Sequence, residues 1–209
     1  LNYQSKQYSP NTQFSIFPPA VKHLLIVNVL AFVALNTPII GKALFQYGAL
    51  WPLGSGYFSL WQLVSYMFLH ASLGHIFFNL FALWMFGQAI ENFWGTERFV
   101  VYYFLTGIGA ALLHMFIGGG GAPTLGASGA VYGILLAFGM MFPERRIMLL
   151  FPPIPIKAKY FVAIFGAIEL ISGFTRTNSG VAHFAHLGGM LVGFILIKYW
   201  GLKSQESYY

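Results

Sequence analysis

Four polar residues, Ser128, His186, His75 and Asn79, stand in otherwise apolar stretches of this chain. Ser128 opens the run SGAVYGILLAFGMM directly after GGGGAPTLGA. Glycine and proline cannot hold a helix and the following residues can, so loop meets helix close to that serine. Gly126 and Gly129 flank it, which lets backbone approach closely and leaves the Ser128 amide ahead of the helix ladder, where it can meet an oxyanion. A serine in this place is a nucleophile if an imidazole takes its proton, and otherwise a helix N-cap. His186, in AHFAHLGG, is the candidate base. His75 and Asn79 are four apart and share one helix face, so two side-chain donors can aim at one point; polar contact between helices is the other reading of that pair.

The elements that must position these residues follow from composition. The chain is 57% hydrophobic and 8% charged and has no aspartate, which is too little polar surface to cover a soluble globule. An all-α membrane protein is expected. A bilayer-spanning helix needs about 20 mostly apolar residues, and six runs answer to it: 20–38, 72–93, from Arg98 to Ile117, 128–143, 160–174 and 183–200. Residues 1–19 form a polar arm, and 20–209 one six-helix domain. The long connection from Gly41 to Ala71 is too aromatic for a solvated loop and too broken by Pro52, Gly54 and Gly56 for a membrane helix. It is expected to lie in the interface with Trp51, Tyr57 and Trp61 as anchors.

Lysine and arginine set the orientation. With the amino terminus inside, the inner segments hold Lys6, Lys22, Arg98, Arg145, Arg146, Lys157, Lys159, Lys198 and Lys203, and the outer ones only Lys42 and Arg176. Both termini are therefore expected in the cytoplasm. The basic residues are dispersed among apolar spans, which argues against a nucleic-acid partner. Without cysteine there are no disulfides and no thiolate metal sites, and nothing calls for a metal or organic cofactor. No stretch reads as a cleavable signal.

In this orientation three helices that begin on the outer side each carry polar residues at a similar depth: His75 with Asn79, Ser128, and His186. Gly129, Gly133 and Ala137 make a small-residue stripe on the fourth span, and Ala185, Gly189 and Gly193 another on the sixth. Stripe against stripe brings Ser128 beside His186.

The segments HIFFN at 75–79, GASG at 126–129 with Tyr132 following, and AHLGG at 185–189 with Gly193 beyond resemble the rhomboid family of intramembrane serine proteases, in that family's order and on its second, fourth and sixth helices. Trp61 is followed by Gln62, where many members carry arginine. The resemblance implies a Ser128–His186 dyad and a rhomboid bundle. Oxyanion stabilisation would fall to the Ser128 amide, His75 and Asn79, with Tyr132, Gly126 and Gly129 in support. It also implies a serine endopeptidase cutting single-span membrane proteins in or near their transmembrane segments, in a multi-pass protein of the bacterial inner membrane. Glu169 is the only acid deep enough to approach the dyad, and an interhelical hydrogen bond is the expectation for it. Tyr132, one turn below Ser128, either stacks on His186 or merely packs. A non-catalytic rhomboid-like protein that binds membrane clients is the alternative, although such proteins usually lack the serine or the histidine. A transporter would give no reason for GASG opposite AHLGG.

Overall fold

The computed structural model describes residues 14–118, 121–149, 153–175 and 182–204. Lys6, most of the polar arm, Gly119, Gly120 and Arg176 lie outside the described residues.

Among the described residues eight α-helices form, the longer ones where apolar runs end at glycine, proline or a polar turn. They are α1 (Pro19–Leu35), α2 (Ile40–Gly48), α3 (Gln62–Ser65), α4 (Leu73–Trp94), α5 (Thr96–Leu113), α6 (Ser128–Met141), α7 (Ala158–Thr175) and α8 (His183–Tyr199). A wider π turn carries α5 on through His114–Gly118. Pro19 starts α1, where its missing N–H costs nothing. Ser72 caps α4 by accepting from the His75 amide. The six apolar runs fold as the helices α1, α4, α5, α6, α7 and α8, with boundaries shifted by a few residues at most.

By length and composition α4, α5 with its extension to Gly118, and α7 each suffice to cross a membrane, and α1 with α2, bent by 119°, would make a fourth span. The apolar helices α6 and α8 are shorter, at 14 and 17 residues. α6 is the buried centre and packs on α4, α5, α7 and α8. α1 and α7 lie outside, presenting Leu30, Val33, Ile168, Ile171 and Phe174 outward, as helices facing lipid do.

The connection after α1 is built from short helices that its broken sequence did not announce, and Gln62 holds it together. Buried, Gln62 accepts from the amides of Trp51 and Ser59 at 3.3 Å each and donates to the carbonyls of Tyr57 at 3.0 Å and Tyr47 at 3.3 Å. Trp61 and Tyr57 remain more than half exposed, as interfacial anchors would. The basic stretch after α6 contains a small antiparallel hairpin, β1 (Arg146–Met148) with β2 (Pro155–Lys157). There Lys157 and Lys159 both pair with Glu144 and hold its carboxyl below the usual range. The arm's described end docks on α4: Ser15 and Asn92 exchange hydrogen bonds at 3.0 and 2.8 Å, and Phe17 stacks on Trp84.

Candidate active site

The segment before α6 is held from the first connection. Thr124 and Leu50 exchange backbone hydrogen bonds at 3.0 and 2.9 Å, and the Gly126 amide donates to the Tyr66 carbonyl at 2.9 Å. Gly126 has φ +123°, a conformation that L side chains rarely adopt, and a Cβ there would fall on His75 Nε2. The helix ladder of α6 begins with Val131 donating to the Ala127 carbonyl, so the amides of Ser128, Gly129 and Ala130 precede it. Ser128 is the first helical residue, and Ala127, not the serine, holds the cap position.

The Ser128 hydroxyl oxygen lies 2.8 Å from His186 Nε2. α8 comes this close because Gly189 sits against the Gly129 carbonyl, where a Cβ would collide with backbone. Further down the stripes part company. A Cβ on Gly133 would meet Thr106 and one on Gly193 would meet Tyr102, both on α5, and the Tyr102 hydroxyl donates to the Gly133 carbonyl at 2.7 Å. The two small-residue stripes thus meet at one crossing, the one beside the serine, and α5 fills the gap below it.

The Tyr132 ring stacks on the His186 imidazole, 7° from parallel with centroids 4.2 Å apart, so of its two expected readings the stack is the one found. Glu169 makes the expected interhelical hydrogen bond, with Tyr132 on α6, and beyond that expectation also comes up to His186. Its Oε1 accepts from the Tyr132 hydroxyl at 2.6 Å, and its Oε2 lies 2.6 Å from His183 Nδ1 and 3.0 Å from His186 Nδ1. The last contact is proximity without hydrogen-bond alignment, since His186 Nδ1 is buried with no satisfied partner. Sequence gives the depth of Glu169 but not the side of α7 it occupies, and that side decides the contact.

His75 Nδ1 accepts from the Ala71 amide at 3.4 Å, which leaves its proton on Nε2, toward Gly126 and the serine loop. Asn79, one turn further, donates to the His75 carbonyl at 2.9 Å, and its Oδ1 is buried without a partner. His75, Asn79, Ser128, Tyr132 and His186 line one cavity of about 1180 Å³ that continues between α4 and α7 past Phe81, Met85, Phe161 and Phe165. His114 also lines it, bonded to the Thr124 hydroxyl at 2.9 Å; only its place among apolar residues marked it in the sequence.

Glu169, His183 and His186 offer ligand atoms within 4.8 Å of one another. The 2.6 Å contact is a hydrogen bond, and both it and the 3.0 Å approach are shorter than the separation of about 3.4 Å between ligands around a tetrahedral ion.

Residues 57–202 match the family model described as the Rhomboid domain, a stretch that takes in every one of these side chains. The chain belongs to the rhomboid family. Among its relatives is "Rhomboid protease GluP" of Bacillus subtilis (strain 168), 32% identical over 148 residues, or 71% of this chain and 27% of that protein. "Rhomboid protease GlpG" of Serratia proteamaculans (strain 568) is 29% identical over 98% of this chain and 70% of its own length. "Presenilin-associated rhomboid-like protein, mitochondrial" of Homo sapiens is 29% identical over 86% of this chain and 48% of that protein. The chain thus spans about a quarter of the first of these, most of the second and half of the third. Like other rhomboids it is an integral membrane protein rich in apolar helices, in a family whose relatives are named proteases in bacteria and rhomboid-like in mitochondria.

Proposed function

We propose that this rhomboid is an intramembrane serine endopeptidase that uses Ser128 as nucleophile and His186 as general base. The observation that carries the reading is the 2.8 Å contact between Ser128 Oγ and His186 Nε2 at the foot of a cavity inside an apolar bundle. Nε2 takes the hydroxyl proton as Oγ attacks a peptide carbonyl, and returns it to the departing amine. Water then hydrolyses the acyl-serine by the same proton exchange. The negative oxygen of each tetrahedral intermediate is met by the Ser128 amide and by His75 Nε2–H. Asn79 joins them when its amide turns from its own helix into the cavity. No metal or organic cofactor enters these steps.

In the bilayer, six helices cross, with both termini cytoplasmic and residues 20–209 as the catalytic domain. α6, at roughly 21 Å, is shorter than the ~30 Å hydrocarbon core, so a start at Ser128 lies below the outer surface. Substrates are then single-span membrane proteins, cut where a transmembrane helix unwinds near that boundary, because an intact helix hides its carbonyls in its own hydrogen bonds. The cellular setting proposed is a bacterial inner membrane.

The test is cleavage of a single-span reporter co-reconstituted in vesicles. Cleavage by wild type that is lost in both Ser128→Ala and His186→Ala supports the reading; cleavage that survives either substitution refutes the dyad. Reporter bound intact by all three forms would favour a client-binding role.

A further inference from the structure

A serine and a histidine leave Glu169 without a part in the chemistry, yet three groups from two other stretches converge on its carboxylate. The Tyr132 hydroxyl meets one oxygen; His183 Nδ1 and His186 Nδ1 meet the other, none farther than 3.0 Å. Glu169 is buried, and the other described glutamates lie elsewhere: Glu91 near the end of α4, Glu97 at the start of α5 and Glu144 in the turn after α6. A single interhelical hydrogen bond would need one donor. The Tyr132 hydroxyl donates to one oxygen, and two imidazole nitrogens able to donate lie within reach of the other, the pattern of groups that gathers around an ionised acceptor. His186 Nδ1, buried and otherwise without a partner, has this carboxylate as its nearest acceptor.

We propose that Glu169 is a positioning residue for His186, keeping the proton on Nδ1 so that Nε2 faces Ser128 bare, and offsetting the positive charge the ring gains when it takes the serine proton. The inference rests on reading Ser128 and His186 as nucleophile and base. Tyr132 links the two partners, stacking on the imidazole while its hydroxyl fixes one carboxylate oxygen. Contacts of this kind commonly tighten when substrate fills a site, and a small rotation of the ring aligns Nδ1–H with Oε2. The groups facing His186 are Ser128 and Tyr132 on α6, Glu169 on α7, His75 on α4, His114 after α5 and His183 on its own helix. Among them Glu169 alone carries negative charge.

The test uses the full chain in lipid, with the kcat and KM of a membrane substrate measured across pH for wild type, Glu169→Gln and Glu169→Asp, beside a ¹⁵N NMR titration of the His186 ring. The wild-type spectrum is expected to show a protonated Nδ1 and a bare Nε2; the opposite tautomer overturns the proposal without need of any variant. In Glu169→Gln, kcat is expected to fall roughly tenfold to a thousandfold with KM within about threefold. The acid limb of activity and the NMR midpoint should both move to lower pH by about one unit or more. Glu169→Asp should recover most of kcat and return both midpoints. Unmoved midpoints in Glu169→Gln, or equal losses in the two variants with raised KM, mean that Glu169 only braces the bundle. Should wild type cleave nothing, the catalytic reading fails separately, and the NMR tautomer and midpoint still decide whether Glu169 governs the ring.

Discussion

Gly189 of α8 lies directly against the carbonyl oxygen of Gly129 in α6, one residue beyond Ser128, so that no side chain fits between the two helices there. The hydrogen bond from Ser128 to His186 depends on that approach, because His186 is one turn from Gly189 on the same helix. Gly189→Ala must push α8 outward against backbone that cannot yield. Overpacking of this kind costs about 1–3 kcal/mol. The expected outcome is a lower thermal midpoint in detergent and at least a hundredfold loss of peptidase activity, whereas Gly54→Ala, with open space around its Cβ and away from the cavity, leaves both unchanged.

His75 and Asn79 differ in how they face the serine. His75 already directs Nε2 toward the loop at Gly126, while the Asn79 amide is bonded within its own helix. Removing an oxyanion donor typically costs about 3 kcal/mol of transition-state stabilisation, or roughly a hundredfold in kcat. His75→Ala should show that loss with KM little changed. Asn79→Ala should show a smaller one, and an equal loss in both would mean that Asn79 turns fully into the cavity during turnover.

Glu91 ties the start of α1 to the end of α4. Its two carboxylate oxygens accept from the amides of Ala20 and Val21 at 2.8 Å each, and the Thr96 hydroxyl donates to it at 2.7 Å. These amides have no partner within their helix, and a carboxylate at a helix N-terminus is also favoured by the dipole. Glu91→Ala leaves them buried and unsatisfied, at about 1–3 kcal/mol. Thermal unfolding should shift downward while activity per folded molecule is kept; loss of activity without destabilisation would contradict this purely structural role.

The helices were legible in the sequence because apolar runs ended at residues that stop helices: Gly95 before α5, the glycine segment before α6, Pro143 after it. Ser128, His186, His75 and Asn79 were legible because polar residues inside such runs need partners, and the glycines at 129 and 189 marked where two helices touch. Azimuth was not legible. Which side of α7 Glu169 takes is set by the packing of α7 on α6 and α8, and the near-uniform apolarity of that helix gives no periodic signal. The hairpin at 146–157 was too short to show alternation. Gln62 stands out in the sequence only as a departure from the arginine many family members carry, and the four hydrogen bonds by which it holds the loop depend on tertiary contacts.

The cavity that holds the serine continues between α4 and α7, where Phe86 and Phe161 have ring centroids 6.2 Å apart. If a substrate helix enters there, tethering those two helices blocks large substrates and spares small ones. The chain has no cysteine, so Phe86→Cys with Phe161→Cys can be joined by a short bifunctional reagent without side reactions. The tethered protein should stop cutting a membrane reporter yet still react at Ser128 with a small acylating probe. Undiminished cleavage after tethering would exclude this route.

The central claim is that His186 makes Ser128 a nucleophile. Its most direct measurement is labelling of the purified protein, in detergent and again in lipid, with a fluorophosphonate or isocoumarin, followed by mass mapping beside Ser128→Ala and His186→Ala. A single adduct on Ser128, absent from both variants, is the expected result. No adduct on folded wild-type protein in lipid, or an adduct that persists in His186→Ala, would contradict it.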